Sequence, residues 1–544
     1  MRRSLTPLLL LSLLIFSLAR PAAAADPASL GRIDFPTTAS PAAQQHFLRG
    51  VAALHSFWYE EAADAFRAAQ EAEPGFALAY WGEALTYDHP IWGEQDLEAA
   101  RTALQRLAPS AAERARRAGN EKERAWLGAA EALYGDGDKD VRARAYAEAL
   151  RRMYERWPED LEVASFYALS LIGPALASDG GPLGEPRERL LIRAAAILEE
   201  QYDRNPEHPG VLHYLIHAYD DPLHAPLGVR AARAYARVAP AAHHALHMPS
   251  HIFVQLGQWD RVAASNEASW AASVAWTERR KLPIDKRDFH SLSWLAYAYL
   301  QQGRYEKARE VVEVARRSAR ESDSPRVTGA LASIEARYLI ETRAWGDAKL
   351  PAAPPPAGGG ATSTADPAHA AHATGPGDWA QIFTAGLAAG RRGDAAAAEE
   401  ALARLRTTQA GAYGGSSAVQ EKEIEGLIQL ARGKEEEGLR LLTEAADAEA
   451  ALAPPSGPPD VLKPALELLG EVLLERGRPA EALPQLQRSL LRMPNRAASL
   501  LGASRAAAKL GREEEARGYS QALAEIWAQA DAGLAEVAEV RSHG

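Results

Sequence analysis

Histidine is the residue type spread most unevenly along this chain. Eight of its fifteen histidines fall within the 44 residues from His208 to His251. The first half of that segment reads His208-Pro-Gly-Val-Leu-His213-Tyr-Leu-Ile-His217-Ala-Tyr-Asp220-Asp221. The second reads His243-His244-Ala-Leu-His247-Met-Pro-Ser-His251-Ile-Phe. His213 and His217 are four residues apart, as are His247 and His251, a spacing that places each pair on one helical face. Neutral imidazole is a preferred ligand of zinc, copper and nickel, so two such pairs on neighbouring helices, with axes about 8–10 Å apart, could converge on one ion. Asp220 or Asp221 could add a carboxylate ligand, steady an imidazole, or act as a base toward metal-bound water. Met248 would suit a cuprous ion, and Pro249 threatens to break the helix between His247 and His251. The ordinary alternative is that histidines satisfy backbone carbonyls or cap helix ends. That use fits His208 beside a proline, and His224 in Asp221-Pro-Leu-His-Ala-Pro.

Ala, Leu, Glu and Arg dominate the elements that must position these residues, strand-like alternation is scarce, and glycine recurs at the ends of helical patterns. The clearest unit begins at Lys463 and carries Leu469, Gly470, Gly477, Ala482, Leu486 and Pro494. Gly511 and Ala516 repeat Gly477 and Ala482 after 34 residues. Near the N-terminus, Tyr59, Ala62, Phe66, Ala69 and Pro74 follow the same pattern, and Leu295, Ala296, Tyr299, Gly303, Tyr305 and Ala308 give another copy. Weaker copies lie around Gly393 and Gly433. A period of 34 with these residue types resembles the tetratricopeptide repeat. The expected fold is therefore an all-α, tetratricopeptide-like solenoid of helical hairpins.

On that register Pro209 and His243 are both position 1, so His213 and His247 are position 5, and His217 and His251 are position 9. The resemblance implies that positions 2, 5, 9, 12 and 13 of each first helix line the concave groove. His244, His213, His217, His247, His251, Asp220 and Asp221 would then face it. His290 maps to position 2 of the next unit, and His55 and His89 to position 13 of the first two. The segment is also similar to a pattern found in a subfamily of exported bacterial tetratricopeptide proteins, H-P-G-x-x-H-Y-x-I-H-x-x-D followed by H-x-x-H-M-P-S-H-I-F. That likeness implies the fold and the weight of the segment without naming a reaction.

Arg2 and Arg3, the apolar stretch Leu5 to Ala19 and the run Ala22 to Ala25 read as a secretory signal peptide over 1–25, which makes the expected location periplasmic or secreted. No later apolar run is long enough to span a bilayer. There is no cysteine to form a disulfide. Net charge is −11, or −14 once the three arginines of the signal are removed. That balance argues against nucleic acid as a partner. The Pro-, Gly-, Ala-, Ser- and Thr-rich stretch 351–378, which holds His369 and His372, reads as a disordered linker between an array over 26–350 and another over 379–544. Trp58, Tyr59, Tyr80, Trp81 and Trp92 form an aromatic cluster near the first repeats, most of it expected as hairpin packing.

There is no phosphate-cradling glycine loop, no H-E-x-x-H, no G-x-S-x-G and no thiol nucleophile. The leading expectation is an exported solenoid that binds a ligand or a protein partner and holds a histidine-based zinc, copper or nickel centre in its N-terminal groove. Two rivals stay open. One is a metal-free protein-interaction scaffold, and the other a metal-dependent hydrolase or oxidase using the same residues.

Overall fold

A computed structural model describes residues 30–177, 181–352, 377–408 and 415–543. The expected signal peptide over 1–25, and residues 353–376 of the expected linker with His369 and His372, lie outside the described residues.

The chain folds into antiparallel helical hairpins stacked in sequence order. Pro41–His55 pairs with Tyr59–Ala72, Pro209–Ala218 with Ala225–Val238, and Phe289–Gln301 with Tyr305–Glu321. Local signals in the sequence set these helices. Ser40 accepts from the Ala43 N–H at a helix start whose first residue is Pro41, and Asp288 caps Phe289–Gln301 through Ser291 N. Turns between paired helices need a left-handed residue, and glycine supplies it at Gly257 (φ 60°) and Gly303 (φ 66°). In the first hairpin the same place, two residues before the aromatic that opens the second helix, is taken by Phe57 at φ 51°.

Strand content among the described residues is one hairpin of two-residue strands, Asp88–His89 with Glu94–Gln95. Its turn carries Trp92. Leu212, Leu215, Ile216, Ile252 and Leu292 are buried in one apolar core that runs from Leu30 to Ile334. A second core takes Ile340 from before the expected linker and packs it with Trp379 and Phe383 from beyond it, so helix Pro325–Glu341 stacks directly on Gly377–Arg391.

The C-terminal hairpins curl back onto the N-terminal ones. Trp259 Nε1 donates to Asn495 O (2.8 Å), and Trp527 Nε1 to Gln301 O (3.0 Å). Arg496, fully buried, is held by Glu467, Glu341 and the Tyr297 hydroxyl. Gln255 Nε2 reaches Pro455 O at 2.8 Å. Gly457 lies so close to Trp294 that a Cβ there would meet the indole at 2.3 Å. The loop around 455–457 therefore covers the concave face at the end of the histidine-bearing helices.

Candidate metal centre

Three successive first helices carry the histidines. His213 and His217 lie on Pro209–Ala218, His244 and His247 on His243–His247, His251 on Pro249–Gln255, and His290 on Phe289–Gln301. The Pro209-Gly210 start of the first is tight for a reason: a Cβ on Gly210 would meet His55 Nδ1 at 2.3 Å. Pro249 does end one helix and begin another, but Met248 between them keeps right-handed helical angles (φ −53°, ψ −36°). His247 and His251 consequently stay on one face, with their Nε2 atoms 3.1 Å apart.

The four paired histidines do not gather around one point as the spacing suggested. The structure divides them between two triads, His213–His217–His244 and His247–His251–His290, in each of which one nitrogen per residue lies within 4.8 Å of the others. The third member comes in both cases from position 2 of the following repeat, whose side chain leans back across the groove. His213 and His217 approach Nε2 to Nε2 at 3.2 Å. The triads adjoin, with the His217 and His251 rings 5.7 Å apart and those of His244 and His247 5.9 Å apart.

The outer nitrogens are fixed by partners. His213 Nδ1 donates to the His55 carbonyl (2.7 Å), and His251 Nδ1 to Asp220 Oδ2 (2.6 Å). His247 Nδ1 faces Asn266 Oδ1 at 2.7 Å, and because Asn266 Nδ2 donates to Val262 O, that oxygen must be the acceptor. In their neutral forms His213, His247 and His251 thus carry the proton on Nδ1 and turn an Nε2 lone pair inward. His244 Nε2 is buried with no hydrogen-bond partner among the described residues. Burial, reinforced by neighbouring imidazoles, lowers His213 to about 3 despite the His55 carbonyl, and pushes His244 well below its usual value. Both are neutral, as a ligand must be.

Asp220 therefore holds an imidazole, its other oxygen accepting from Gln255 Nε2 (3.1 Å). Asp221 does not belong to the site. Its carboxylate accepts from Leu223 N, His224 N and His224 Nδ1 in the turn that starts the next helix. Met248 is packed in the apolar core.

His55, Glu162 and His208 form a third group that no spacing in the chain announces, and it is a satisfied network. Glu162 takes His55 Nε2 at 2.7 Å and His208 Nε2 at 3.0 Å, Tyr214 bonds His55 Nδ1 at 2.9 Å, and His208 Nδ1 caps Val211 N. Burial pushes the Glu162 carboxyl up, but the two imidazoles outweigh it and hold it at about 2. Every ring nitrogen of this group is engaged, and it holds His55, whose carbonyl accepts from His213 Nδ1.

Aromatic rings wall the triads. Phe57 lies 4.3 Å from His213 between ring centres and packs against His217 and His244. Trp92 packs against Phe57 and His244, and Trp294 against His247, His251 and His290. Neither Phe57 nor Asn266 stands out in the sequence; the one available signal was Phe57 in a turn position where repeats such as those at Gly257, Gly303 and Gly477 carry glycine.

The chain folds as a tetratricopeptide-like solenoid. No family model matches it, and no curated protein is significantly similar to it. Solved structures with a related course include the yeast Tom70 (12% identity, covering 92% of this chain and 94% of that one, TM-score 0.28). Cut9–Hcn1 from the APC/C hetero-tetramer follows at 12% identity, covering 85% and 76%, with a TM-score of 0.34. The human IFIT1 dimer with m7Gppp-AAAA follows at 13% identity, covering 90% and 91%, with a TM-score of 0.35. Among the described residues no helix is long and apolar enough to cross a membrane.

Proposed function

We propose that this protein is a metal-binding solenoid that holds two transition-metal ions side by side, one in each histidine triad. The observation that carries the reading is the pair His247 and His251. Both Nδ1 atoms are committed as donors to Asn266 and Asp220, so two Nε2 lone pairs meet at 3.1 Å. A cation between them satisfies both, either a metal ion or a proton that makes one ring imidazolium, and the convergence of His290 on the same point favours the metal. The spacing suits a metal: with bonds of about 2.0–2.1 Å, two ligands of a tetrahedral ion sit about 3.3 Å apart. Imidazole-only ligation selects zinc, copper or nickel over magnesium or calcium. Asp220, Asn266 and the His55 carbonyl set the tautomers and ring orientations, and the chemistry the ions supply when bound is Lewis acidity or, for copper, electron exchange.

Burial weighs against direct capture of a peptide by these histidines, since His213 and His247 are fully enclosed. A partner protein would engage the solenoid elsewhere. The leader-like segment Arg2 to Ala25 supports an exported location, which N-terminal sequencing of the protein recovered from a periplasmic fraction checks: a start at Asp26 is expected. For the centre itself, untagged protein is stripped with chelator, reloaded separately with zinc, copper and nickel, desalted and analysed for metal. Two ions per chain are expected with at least one of them. Metal-free protein after all three would overturn the reading.

A further inference from the structure

On the far side of Phe57 and Trp92 from the first triad lies a cavity of about 310 Å³, within the range of small-molecule sites. Leu54, Leu85, Leu133, Phe166 and Leu169 give it apolar walls, and the Asp88–Gln95 hairpin forms one side. Two polar groups stand out in this lining. The Tyr59 hydroxyl is buried with no hydrogen-bond partner among the described residues, which is costly unless something else supplies one. Asp88 gives one carboxylate oxygen to Gln95 Nε2 at 2.8 Å, leaving its other oxygen able to accept. Burial raises Tyr59 far above its usual range, so it remains a donor, and burial raises Asp88 against the pull of Gln95 and nearby cations.

Phe57 supplies a separate observation. A bulky residue at φ 51° costs on the order of 1–2 kcal/mol, in a turn where glycine would cost nothing. Its ring is what that strain holds in place, between the cavity and the imidazoles of His213, His217 and His244.

We propose that this cavity binds a small planar aromatic molecule bearing a hydroxyl group, with Tyr59 donating to the ligand oxygen, Asp88 accepting its proton, and Phe57 and Trp92 forming the partition between the ligand and the first triad. The ring takes the apolar walls. A carboxylate in place of the hydroxyl would face the carboxylates of Asp88, Glu94 and Asp140 against the ammonium of Lys139, which is engaged by the Gly93 carbonyl, and be rejected. The site stands whether or not metal occupies the triads.

The test is calorimetric titration of the full chain, metal-stripped and metal-loaded in parallel, with three probes: 4-ethylphenol, ethylbenzene and 4-ethylbenzoate. Ethylphenol should bind in both forms, at least tenfold more tightly than either analogue. Tyr59→Phe should remove most of the preference for ethylphenol over ethylbenzene. Ala143→Phe, which fills the cavity from helix Lys139–Arg156, should abolish binding of both while helix content is unchanged. Equal or tighter binding of ethylbenzoate, no binding of any probe, or full ethylphenol preference in Tyr59→Phe would overturn the proposal, the last even if Ala143→Phe fails to fold. Failure to load metal while ethylphenol still binds would defeat the metal reading alone.

Discussion

Two neutral imidazoles whose outer nitrogens both donate cannot also donate to each other across 3.1 Å, and His247 and His251 are in that position because of residues far apart in sequence. Asp220, 31 residues before His251, is one of them. Asp220→Asn should weaken the ion of the second triad about 10- to 100-fold and leave the first near its original affinity, since removal of such an outer partner has that size of effect. Competition with a chromophoric chelator reads both sites; equal weakening of the two ions would show that Asp220 acts on the fold. His244→Ala and His290→Ala should each reduce two bound ions to one, with circular dichroism unchanged. The paired histidines were legible from their spacing, and the position-2 histidines from the repeat register. Their assignment to two triads was not, because it depends on side chains reaching back across the groove. Nor could the sequence separate Asp220 from Asp221: adjacent carboxylates at a helix end diverge, one entering the groove and one closing the turn.

Elements show the same mixture. The hairpin pattern around Gly257, Gly303 and Gly477 announces its turns, whereas Phe57 breaks the rule and sets its ring against His213, His217 and His244. Pro249 reads as a helix breaker, yet helical angles at Met248 and the Ser250 hydroxyl, donating to His247 O at 2.7 Å, keep the two faces aligned. Farther along, Arg496 joins elements that no local pattern connects. It is buried among Glu467, Glu341 and Tyr297, and the three polar partners come from three helices. Arg496→Ala would leave the fully buried Glu467 with Lys463 and Ser499 as its partners, and should destabilise the protein by about 1.5–3 kcal/mol through the lost charged hydrogen bonds. Urea unfolding measures it, and a loss below about 1 kcal/mol would mean that the cluster is not holding the curl closed.

At the scale of the molecule, the solenoid itself was legible from its 34-residue period, while its curvature was not, since contacts such as Trp259 to Asn495 span 236 residues. Sequence composition suggested two arrays on either side of 351–378. Direct stacking of Pro325–Glu341 on Gly377–Arg391, with the return contacts of Arg496, predicts instead that both halves behave as one body. A protease site engineered between Ala352 and Gly377, once cut, should give two fragments that elute together at the intact size. Separation of the fragments would restore the two-array picture.

Stability should also depend on pH in a defined direction. His213, His244 and His55 have folded pKa values below the usual 6.5, and Glu162 lies at about 2 against 4.5. The unfolded chain therefore binds more protons in acid, so stability contributed by the histidines is complete above pH 6.5 and lost as pH falls below it. The Glu162 contribution follows between 4.5 and 2. Each group can add a slope of up to about 1.4 kcal/mol per pH unit. The melting temperature of metal-stripped protein should fall steadily from pH 7 to 4; a flat profile would mean that these side chains are solvated.

The most direct measurement of the two-ion centre is anomalous scattering from crystals of the loaded protein, collected at the absorption edge of the metal it retains. Two peaks are predicted, one about 2.0–2.2 Å from the nitrogens of His213, His217 and His244, the other at the same distance from those of His247, His251 and His290. No peak at either triad, or a single peak beside Glu162 between His55 and His208, would contradict the account.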